Sequence, residues 1–510
     1  MDLSALVKKH AKSKLVLFLW VVMPFTIVAQ NHYWSQQYGA AATLSGGAEI
    51  AGVRDNTALF YNPGAMGMIE SNKISISANV YEAQVVTLKN VAGKDIDARS
   101  FRALIYPQFI GGSFYVKKVP KLKIMYGTLV RNRSSLRYNA THETYTDAIP
   151  GSPGLEYYKA RLEYEFNSTE TWAGLGFGYR LNNNFSAGVS VFGSYTNLET
   201  ITALSAGADG VFGITPYTAT VNDYGSVKID HINFIAKAGI AAEFPRLRLG
   251  LAITMPSAKI WGQGNMTKTF ELHNLNLYAE DTTAIVFKYP SLLVSDEQKN
   301  LKSQYKQPAS FALGAEYKWK RVKVKLATEI FLGMPQYEVL RGVDEAFIRP
   351  ANAYGGQTLK DFMVVKSRAA PVVNISIGGT FRIKNKFKVL TGFRTDFNNR
   401  MNFGTSQYDS RLGSITPPNW HLLHFSAGAS YYRGASDITL GFSYSFGIAA
   451  DRKSAVNLND PKQNLLLRST PENVMRTNVT NFGLIVGYTY YFRGNPRASE
   501  KIDTEMLEDW

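Results

Sequence analysis

The chain has 510 residues, no cysteine and a formal net charge of +16. Its length alone would suggest two or three soluble domains, and the missing cysteines exclude a disulfide framework, a thiolate metal site and a thiol nucleophile. The sequence contains no G-x-S-x-G, H-E-x-x-H or P-loop motif, so it predicts no enzyme, no cofactor and no metal site.

A targeting segment occupies the N-terminus. Four lysines between Lys8 and Lys14 precede the uncharged apolar stretch Leu15 to Val28, and the small residue Ala29 follows it. This pattern predicts a secretory signal peptide over residues 1–29. The alternative is an uncleaved anchor, although the apolar run is shorter than the roughly 20 residues that span a membrane. An exported chain without a spanning helix can be periplasmic, secreted or an outer-membrane barrel, and the strand pattern distinguishes among these three classes.

Residues 30–72 do not alternate like a strand. They are rich in glycine and alanine, carry few charges and contain an apolar run that meets an Asn-Pro-Gly turn. Proline fixes one backbone dihedral and glycine accepts unusual ones, so this turn is tight. We predict that the segment is a plug, or hatch, inside a barrel; a disordered leader is the alternative, but the run is too apolar for one. The hatch motif comprises Phe60, Tyr61, Asn62, Pro63 and Gly64.

Alternating strands fill the rest of the chain. In Ser310 to Trp319 the odd positions are mostly large and apolar and the even positions are small or polar. A period of two places the two sets on opposite faces of a sheet. Charges in a dry sandwich core would be very costly, whereas charges that face a wet lumen while apolar residues face lipid are typical of a membrane barrel. The candidate lumen charges, all in the next strand, are Arg321, Lys323, Lys325 and Glu329.

Short polar turns alternate with long loops. The short links are Lys118 to Lys121, Leu181 to Asn184, Glu243 to Arg246, Lys318 to Arg321, Ile383 to Lys386 and Arg433 to Ser436. The long connections fall near 86–100, 132–155, 197–226, 257–306, 334–369, 398–419 and 449–478. Thirteen connections predict an all-β, 14-stranded antiparallel transmembrane barrel over residues 73–493, with both ends on the short-turn, periplasmic side. The polar residues 494–510 are predicted to form a periplasmic tail.

Two details refine the strand pattern. The stretch Tyr157 to Arg180 has no Gly or Pro at its centre to turn a hairpin, so we interpret it as one strand that rises above the membrane. Gly174, Gly176 and Gly178 match G-x-G-x-G, but no helix follows, which favours small lumen-facing residues over a nucleotide loop. Aromatic and basic residues flank the short turns, as expected of an interfacial girdle in contact with lipid head groups, so the positive charge implies no nucleic acid.

The stretch from Ala58 to Pro63, with its Gly/Ala-rich leader and the strands after it, resembles the FadL/TodX family of outer-membrane proteins for hydrophobic compounds such as long-chain fatty acids. The family's hatch carries Asn-Pro-Ala; Asn62 and Pro63 match it, and Gly64 replaces the alanine. The resemblance implies capture at outer loops, hatch movement and lateral release into lipid. It also implies a wall gap beside a distorted third strand, here about Leu122 to Arg137.

Other functions stay open at this stage. The barrel could be a scaffold that binds exported partner proteins without transport, or a simple porin. The expected partners are hydrophobic small molecules, outer-membrane lipid and the barrel-assembly machinery, and a monomer is expected. His421 and His424, three residues apart, fall on opposite faces of a strand and predict no shared metal.

Overall fold

The computed structural model describes residues 32–69, 72–116, 118–149, 152, 154–210, 218–275, 291–343, 364–384, 386–398 and 420–492. The predicted signal peptide, residues 1–29, and the predicted tail, residues 494–510, lie outside these ranges. Among the described residues, no helix has the length and apolarity needed to cross a membrane.

Strands dominate the described chain, and its helices are short. The helices are α1 (Ala40–Leu44), α2 (Ala58–Tyr61) and two 3-10 helices, Pro63–Met68 and Gln463–Leu465. The strands are β1 (Lys73–Lys89), β2 (Ala98–Val116), β3 (Val119–Thr146), β4 (Glu156–Arg180), β5 (Phe185–Gly210), β6 (Thr218–Glu243), β7 (Leu247–Thr254), β8 (Ala258–His273), β9 (Leu292–Lys302), β10 (Ser310–Trp319), β11 (Val322–Phe331), β12 (Met334–Arg341), β13 (Val364–Ala369), β14 (Val372–Lys384), β15 (Phe387–Asp396), β16 (His421–Arg433), β17 (Ser436–Arg452), β18 (Asn457–Lys462), β19 (Arg468–Ser469) and β20 (Met475–Tyr491).

Fourteen strands close into one antiparallel ring. Around the ring the order is β1 to β7, β10, β11, β14, β15, β16, β17 and β20. β20 then pairs with β1, for example Tyr490 with Ile74, and this pairing closes the barrel. β8 and β9 extend the sheet from the part of β6 that β7 does not reach. The predicted 14-stranded barrel is confirmed.

The ring is apolar on its outer face and polar on its inner face. On β10 the side chains of Phe311 and Leu313 are 41% and 52% exposed, whereas Glu316 between β7 and β11 is 1% exposed. A water-soluble protein exposes charged residues and buries large apolar ones. The reversed arrangement is stable only where lipid hydrocarbon surrounds the ring, as in a membrane barrel.

The short turns lie where the sequence predicts them. For example, β10 ends at Trp319 and β11 begins at Val322, and β4 ends at Arg180 and β5 begins at Phe185. The first residues of β1 and the last residues of β20 lie at the same end of the ring as these turns, because Ile74 pairs with both Gly112 and Tyr490. Both ends of the barrel therefore lie on the turn side.

On the opposite side several strands rise far beyond a bilayer. β3 has 28 residues, and β4, β5 and β6 have 25, 26 and 26, whereas a transmembrane strand needs about 9–11. The single long strand predicted over Tyr157 to Arg180 is confirmed. Much of the predicted loops 132–155 and 197–226 is strand, because alternating polar residues that face water suit a tall strand as well as a loop. Likewise, β8 and β9 lie within 257–306, and β12 and β13 lie within 334–369.

The outer end of the ring has its own apolar core. On β4 the outward side chains Lys159 and Arg161 are exposed, while Tyr158 and Leu162 point inward and are 0% and 1% exposed. Three connections fill the space inside and are hydrogen-bonded to one another; Ala455 N donates to the Val91 carbonyl (2.8 Å) and Gln463 N to the Ala148 carbonyl (3.0 Å). We call residues 90–97, 147–149 and 455–467 the outer cap.

Candidate functional site

The N-terminal segment, residues 32–69, lies inside the ring. It contains α1, α2 and the 3-10 helix Pro63–Met68, and almost all of its side chains are buried. It contacts every ring strand, because glycine and serine on the inner face let its backbone come close. From β1 around to β20, the wall residues in contact are Lys73, Gly111, Arg131, Gly176, Ser186, Ile240, Gly250, Gly314, Lys325, Ser376, Arg394, Ser426, Gly441 and Gly487.

Asn62 joins the segment to itself and to the wall. Its Nδ2 donates to the carbonyl of Ile50 (2.8 Å) and to the carbonyl of Ile240 on β6 (3.0 Å), and its Oδ1 accepts the Gly64 N–H (2.9 Å). The side chain is fully buried, so each of these bonds replaces one to water. Pro63 follows at the first position of the 3-10 helix, where its missing N–H has no partner to lose.

Gly64 is pressed against the backbone of β6. A Cβ at this position would lie 2.6 Å from the Ile240 Cα and 2.7 Å from the Gly239 carbonyl oxygen. Since both neighbours are main-chain atoms in a paired strand, neither has a flexible end that could move aside. The Asn62-Pro63-Gly64 turn therefore touches the wall at a point where no side chain fits.

Phe60 and Tyr61 belong to a buried aromatic cluster. The Phe60 ring stands edge-on to Tyr38, with 4.4 Å between the ring centroids. The Tyr61 hydroxyl donates to Gln37 Oε1 (2.8 Å) and accepts the Tyr38 N–H (3.0 Å). From the wall, the Lys237 Nζ lies 4.5 Å from the Phe60 ring centroid, a cation–π contact. The structure thus brings all five residues of the predicted hatch motif into one packed unit.

Two of the predicted lumen charges bind the N-terminal segment. The Lys325 Nζ pairs with the Glu49 carboxylate, and Glu329 Oε2 accepts the Trp34 Nε1–H (2.7 Å). Burial raises the pKa of the Glu49 carboxyl, and the adjacent Lys325 ammonium opposes that rise. Burial is the largest cause of the net rise, and the Glu316 carboxylate, 3.8 Å from the same Lys325 Nζ, adds to it.

The other two predicted lumen charges differ in position and exposure. Lys323 is on the inner face of β11 and is 8% exposed. Arg321 lies exposed in the β10–β11 turn, one residue before β11 begins. The prediction of Arg321 as a lumen charge is wrong, because a residue inside a tight turn does not keep the period of the strand that follows.

A second ionic contact holds the segment near the short turns. Arg54 NH2 lies 2.7 Å from Glu243 Oε2 on β6, and Arg248 Nε on β7 donates to the other oxygen of the same carboxylate (2.6 Å). Arg248 also reaches Glu316 Oε1 at 2.9 Å. Together with the Lys325 contacts, this makes one charged network that includes wall residues from several strands.

The start of the segment is held at the other side of the ring. The Trp34 N–H donates to Asp396 Oδ1 (3.0 Å), and Arg394 Nε donates to the Trp34 carbonyl (2.9 Å). Sequence reasoning missed these two residues together with Glu49 and Arg54. The alternation of β15 is a signal that marks Arg394 as inward-facing, but no local pattern reveals a partner some 360 positions away.

The wall has a gap between β2 and β3. Their backbone pairing runs from the turn as far as Phe109 and Leu129 and then ends, within the described parts of both strands. Beyond that point β2 pairs with β1 and β3 pairs with β4, and the two strands approach again where the Arg137 N–H donates to Ser100 Oγ (3.3 Å). We call the stretch between these two points the wall gap. The resemblance implied a gap beside the third strand, and the wall gap lies between β2 and β3.

Local chain chemistry explains the wall gap. β2 has a register shift beside Pro107, and β3 has one beside Arg131, at the same height. Proline has no N–H to donate to a neighbouring strand, and a bulge leaves one residue unpaired and turns its strand. Two irregularities that face each other therefore interrupt the ladder at one place.

A cavity of about 90 Å³ lies behind the wall gap. The N-terminal segment forms its floor with Gln36, and β3 contributes Asn132 and Arg133. Trp420 and Leu422 line it toward the outer cap. The cavity therefore lies between the filled lumen, the wall gap and the apolar outer core.

These features define a class: a 14-stranded membrane barrel whose lumen holds the N-terminal segment and whose wall is split between the second and third strands. The fold is that of the FadL-type outer-membrane barrels. The chain is similar to the structure of a Pseudomonas aeruginosa FadL homologue, with 13% identity, a TM-score of 0.53, and coverage of 91% of this chain and 100% of the other.

Two further solved structures are similar. The toluene transporter TodX of P. putida is 14% identical with a TM-score of 0.53 over 90% of this chain and 100% of its own. The toluene transporter TbuX of Ralstonia pickettii is 12% identical with a TM-score of 0.51 over 90% and 99%. No protein-family profile matches the chain, and no curated protein matches it in sequence. At such identities the likeness concerns the fold.

Proposed function

We propose that this protein is a bacterial outer-membrane channel that takes up hydrophobic compounds and that the N-terminal segment is its hatch. The observation that carries the proposal is a lumen filled by a segment in contact with every ring strand, beside a split in the wall. An apolar solute gains free energy by leaving water for hydrocarbon. A side opening serves such a solute better than a water-filled pore does.

The path has three stages. A hydrophobic compound is captured on the outer side, the hatch shifts, and the compound leaves through the wall gap into the bilayer. The short turns and both barrel ends face the periplasm, since outer-membrane barrels keep their short turns on that side. The fold shared with toluene transporters supports the hydrophobic class of substrate, and long-chain fatty acids are the second class to be tried.

Uptake by cells tests the proposal. Cells with and without the protein are given radiolabelled toluene or labelled long-chain fatty acid, and we expect uptake of at least one compound to require the protein. Asn62→Ala and Pro63→Ala should change that uptake, because both residues position the hatch against β6. Asn139→Ala, at an exposed position on the outer part of β3, is the matched control. Equal uptake with and without the protein would overturn the proposal.

One observation favours a second function. The outer cap closes the outer end of the ring with an apolar core, as would suit a scaffold that binds exported partner proteins. A stable stoichiometric complex with such proteins, together with absent uptake, would support the scaffold. A simple porin is disfavoured by the filled lumen, and steady ion conductance of the purified protein in planar bilayers would support it.

A further inference from the structure

Six inward-facing polar side chains lie in one row across six neighbouring ring strands. Each is the direct cross-strand partner of the next, from β2 through β1, β20, β17 and β16 to β15. Neighbouring strands lie about 4.8 Å apart, so the row covers roughly 24 Å of the wall. In order, these residues, which we call the polar belt, are Arg102, Gln84, Asn481, Ser445, His424 and Arg394.

The polar belt forms one wall of the cavity. All six of its residues line that space, and the next row toward the short turns contributes the small residues Gly483 and Ser443. On the opposite side of the belt lie Val86 and Leu422, which belong to the apolar outer core. The cavity thus has a polar band between small residues below and hydrocarbon above.

Several buried polar atoms in the cavity have no hydrogen-bond partner among the described residues. They are the NH1 of Arg102, the Oδ1 of Asn481 and the Oε1 of Gln108. Gln108, which is only 2% exposed, lies at the β2 irregularity beside the wall gap and also lines the cavity. A buried polar group without a partner costs free energy, so this arrangement is prepared for a ligand.

The unpaired atoms specify the chemistry of that ligand. A guanidinium nitrogen needs an acceptor, whereas the two amide oxygens need donors. Arg102 and Arg133 both line the cavity, and Glu82 is the one acid among the described lining residues, so the site also favours negative charge. A bare hydrocarbon satisfies none of these groups, and a carboxylate satisfies only the donors.

We propose that the polar belt is a head-group site for single-chain amphiphiles whose anionic head group also carries hydroxyl groups. The head group lies in the cavity against the polar belt, which supplies Arg102, and reaches Gln108 beside the wall gap; the tail passes through the wall gap toward lipid. The proposal rests on the proposed uptake function and names its substrate class more narrowly. This substrate class differs from toluene, the compound named for two of the similar transporters.

Binding to the full chain in phosphatidylcholine nanodiscs tests the site. Three probes share a twelve-carbon tail: lauroyl lysophosphatidylglycerol has charge and hydroxyls, dodecyl phosphate has charge only, and dodecane has neither. Isothermal titration should give the first probe about tenfold tighter binding than the second, because buried amide oxygens gain donors. Dodecane should bind weakest.

Variants separate the two parts of the head-group site. Gln108→Leu should remove most of the tenfold preference for the hydroxylated probe, and Arg102→Gln should weaken both anionic probes by about tenfold. Arg161→Gln, exposed on the outer face of β4, is the control, and heat-modifiable migration on gels checks that each variant folds.

Equal affinities for both anionic probes, with no effect of Gln108→Leu, would overturn the proposed site, because its amide oxygens would then recognise no hydroxyl groups. In that case protein-dependent uptake in cells would still stand. If uptake does not depend on the protein, the proposed function fails whatever the probes show.

Discussion

Gly64 shows how one residue couples the N-terminal segment to the barrel. Its Cα lies so close to the β6 backbone that a Cβ would stand 2.6 Å from the Ile240 Cα. What requires glycine at position 64 is the close contact with β6 and not the backbone conformation, since Gly64 is not one of the glycines with a positive φ. Any side chain would have to lift the turn from the wall and break the Asn62 bond to Ile240.

Gly64→Ala should loosen the segment by about 1–3 kcal/mol, the usual cost of overpacking. Because the chain has no cysteine, a single Ala42→Cys in α1, a position that is 2% exposed, reports release of the segment through its rate of maleimide labelling. Labelling should speed up about tenfold or more in Gly64→Ala. Gly193→Ala is the matched control, since a Cβ there meets nothing closer than 4.0 Å. Equal rates in both variants would contradict the close contact.

At the scale of elements, the segment is held by ion pairs as well as by packing. Removing one partner of a buried pair leaves an uncompensated charge, which costs far more than losing the pair itself. Lys325 faces two carboxylates, Glu49 and Glu316, so the two sides of this contact are not equivalent. Without Lys325, Glu316 keeps Arg248 at 2.9 Å, whereas Glu49 keeps only the Ser45 hydroxyl among the described contacts. Loss of Glu49 leaves Lys325 beside Glu316.

Lys325→Met should therefore release the segment at a cost of about 3–5 kcal/mol, and Glu49→Gln should cost under about 1 kcal/mol. Burial raises the pKa of the Glu49 carboxyl above its ordinary 4.5 when the segment is docked in the barrel. The docked segment therefore binds a proton more tightly than the released segment does, and docking becomes more favourable as the pH falls toward 4.5. The Ala42→Cys labelling rate across pH 5 to 8 measures both effects. A wild-type labelling rate that rises on acidification, or a Glu49→Gln variant as loose as Lys325→Met, would contradict this account.

The wall gap is the second feature at this scale. Two irregularities, at Pro107 on β2 and at Arg131 on β3, meet across the same strand boundary. Neither would open the wall alone, because one bulged strand still pairs with a regular neighbour. The gap is thus a property of two adjacent elements.

A disulfide across the gap should block lateral release. Ser100→Cys with Leu136→Cys joins inward-facing positions of β2 and β3, beside the contact of Ser100 Oγ with Arg137 N at 3.3 Å, and we expect uptake to fall about tenfold on oxidation and to recover on reduction. Ser430→Cys with Thr439→Cys is the control, because those hydroxyls touch at 2.7 Å between β16 and β17, which are already paired. Unchanged uptake in the oxidised gap variant would place the exit elsewhere.

At the scale of the whole molecule, the barrel meets two solvents along a single strand. The outward face of β5 carries Val189, 51% exposed, near the short turns and exposed Ser205 near the outer end. Inside, the order is reversed, with small residues such as Gly188 and Ser190 below and Leu204 and Ala206 above. The lower part is a membrane barrel, and the upper part is folded like a water-soluble protein around the outer cap.

Because the lower part of β5 faces lipid and the upper part faces water, substitution by arginine should have unequal effects at two positions on its outward face. Val189→Arg should destabilise the barrel by about 2–4 kcal/mol, since it places charge in hydrocarbon, whereas Ser205→Arg, in water, should cost about 0–1 kcal/mol. Urea titration of both variants folded into phosphatidylcholine vesicles measures the difference. Equal costs would mean that the bilayer does not end between these two positions.

Much of the architecture could be predicted from the sequence because its signals are local. Alternation with a period of two shows which side chains face lipid, and turn chemistry marks where strands reverse, so the strand count and the short turns follow without coordinates. The packed unit of Phe60, Tyr61 and Asn62 was likewise visible as an apolar run before a tight turn. Arg321 shows the limit, because the period does not say where a strand begins.

Tertiary structure alone decided the features that depend on register and on distant partners. The polar belt joins Arg102 to Arg394 through strands that are far apart in the chain, and only the pairing of those strands puts their side chains in one row. The height of β3 to β6, the wall gap and the contact of Gly64 with β6 have the same origin. A residue's own neighbours in sequence determine the face that it occupies, but its height on that face is set by strands folded elsewhere in the ring.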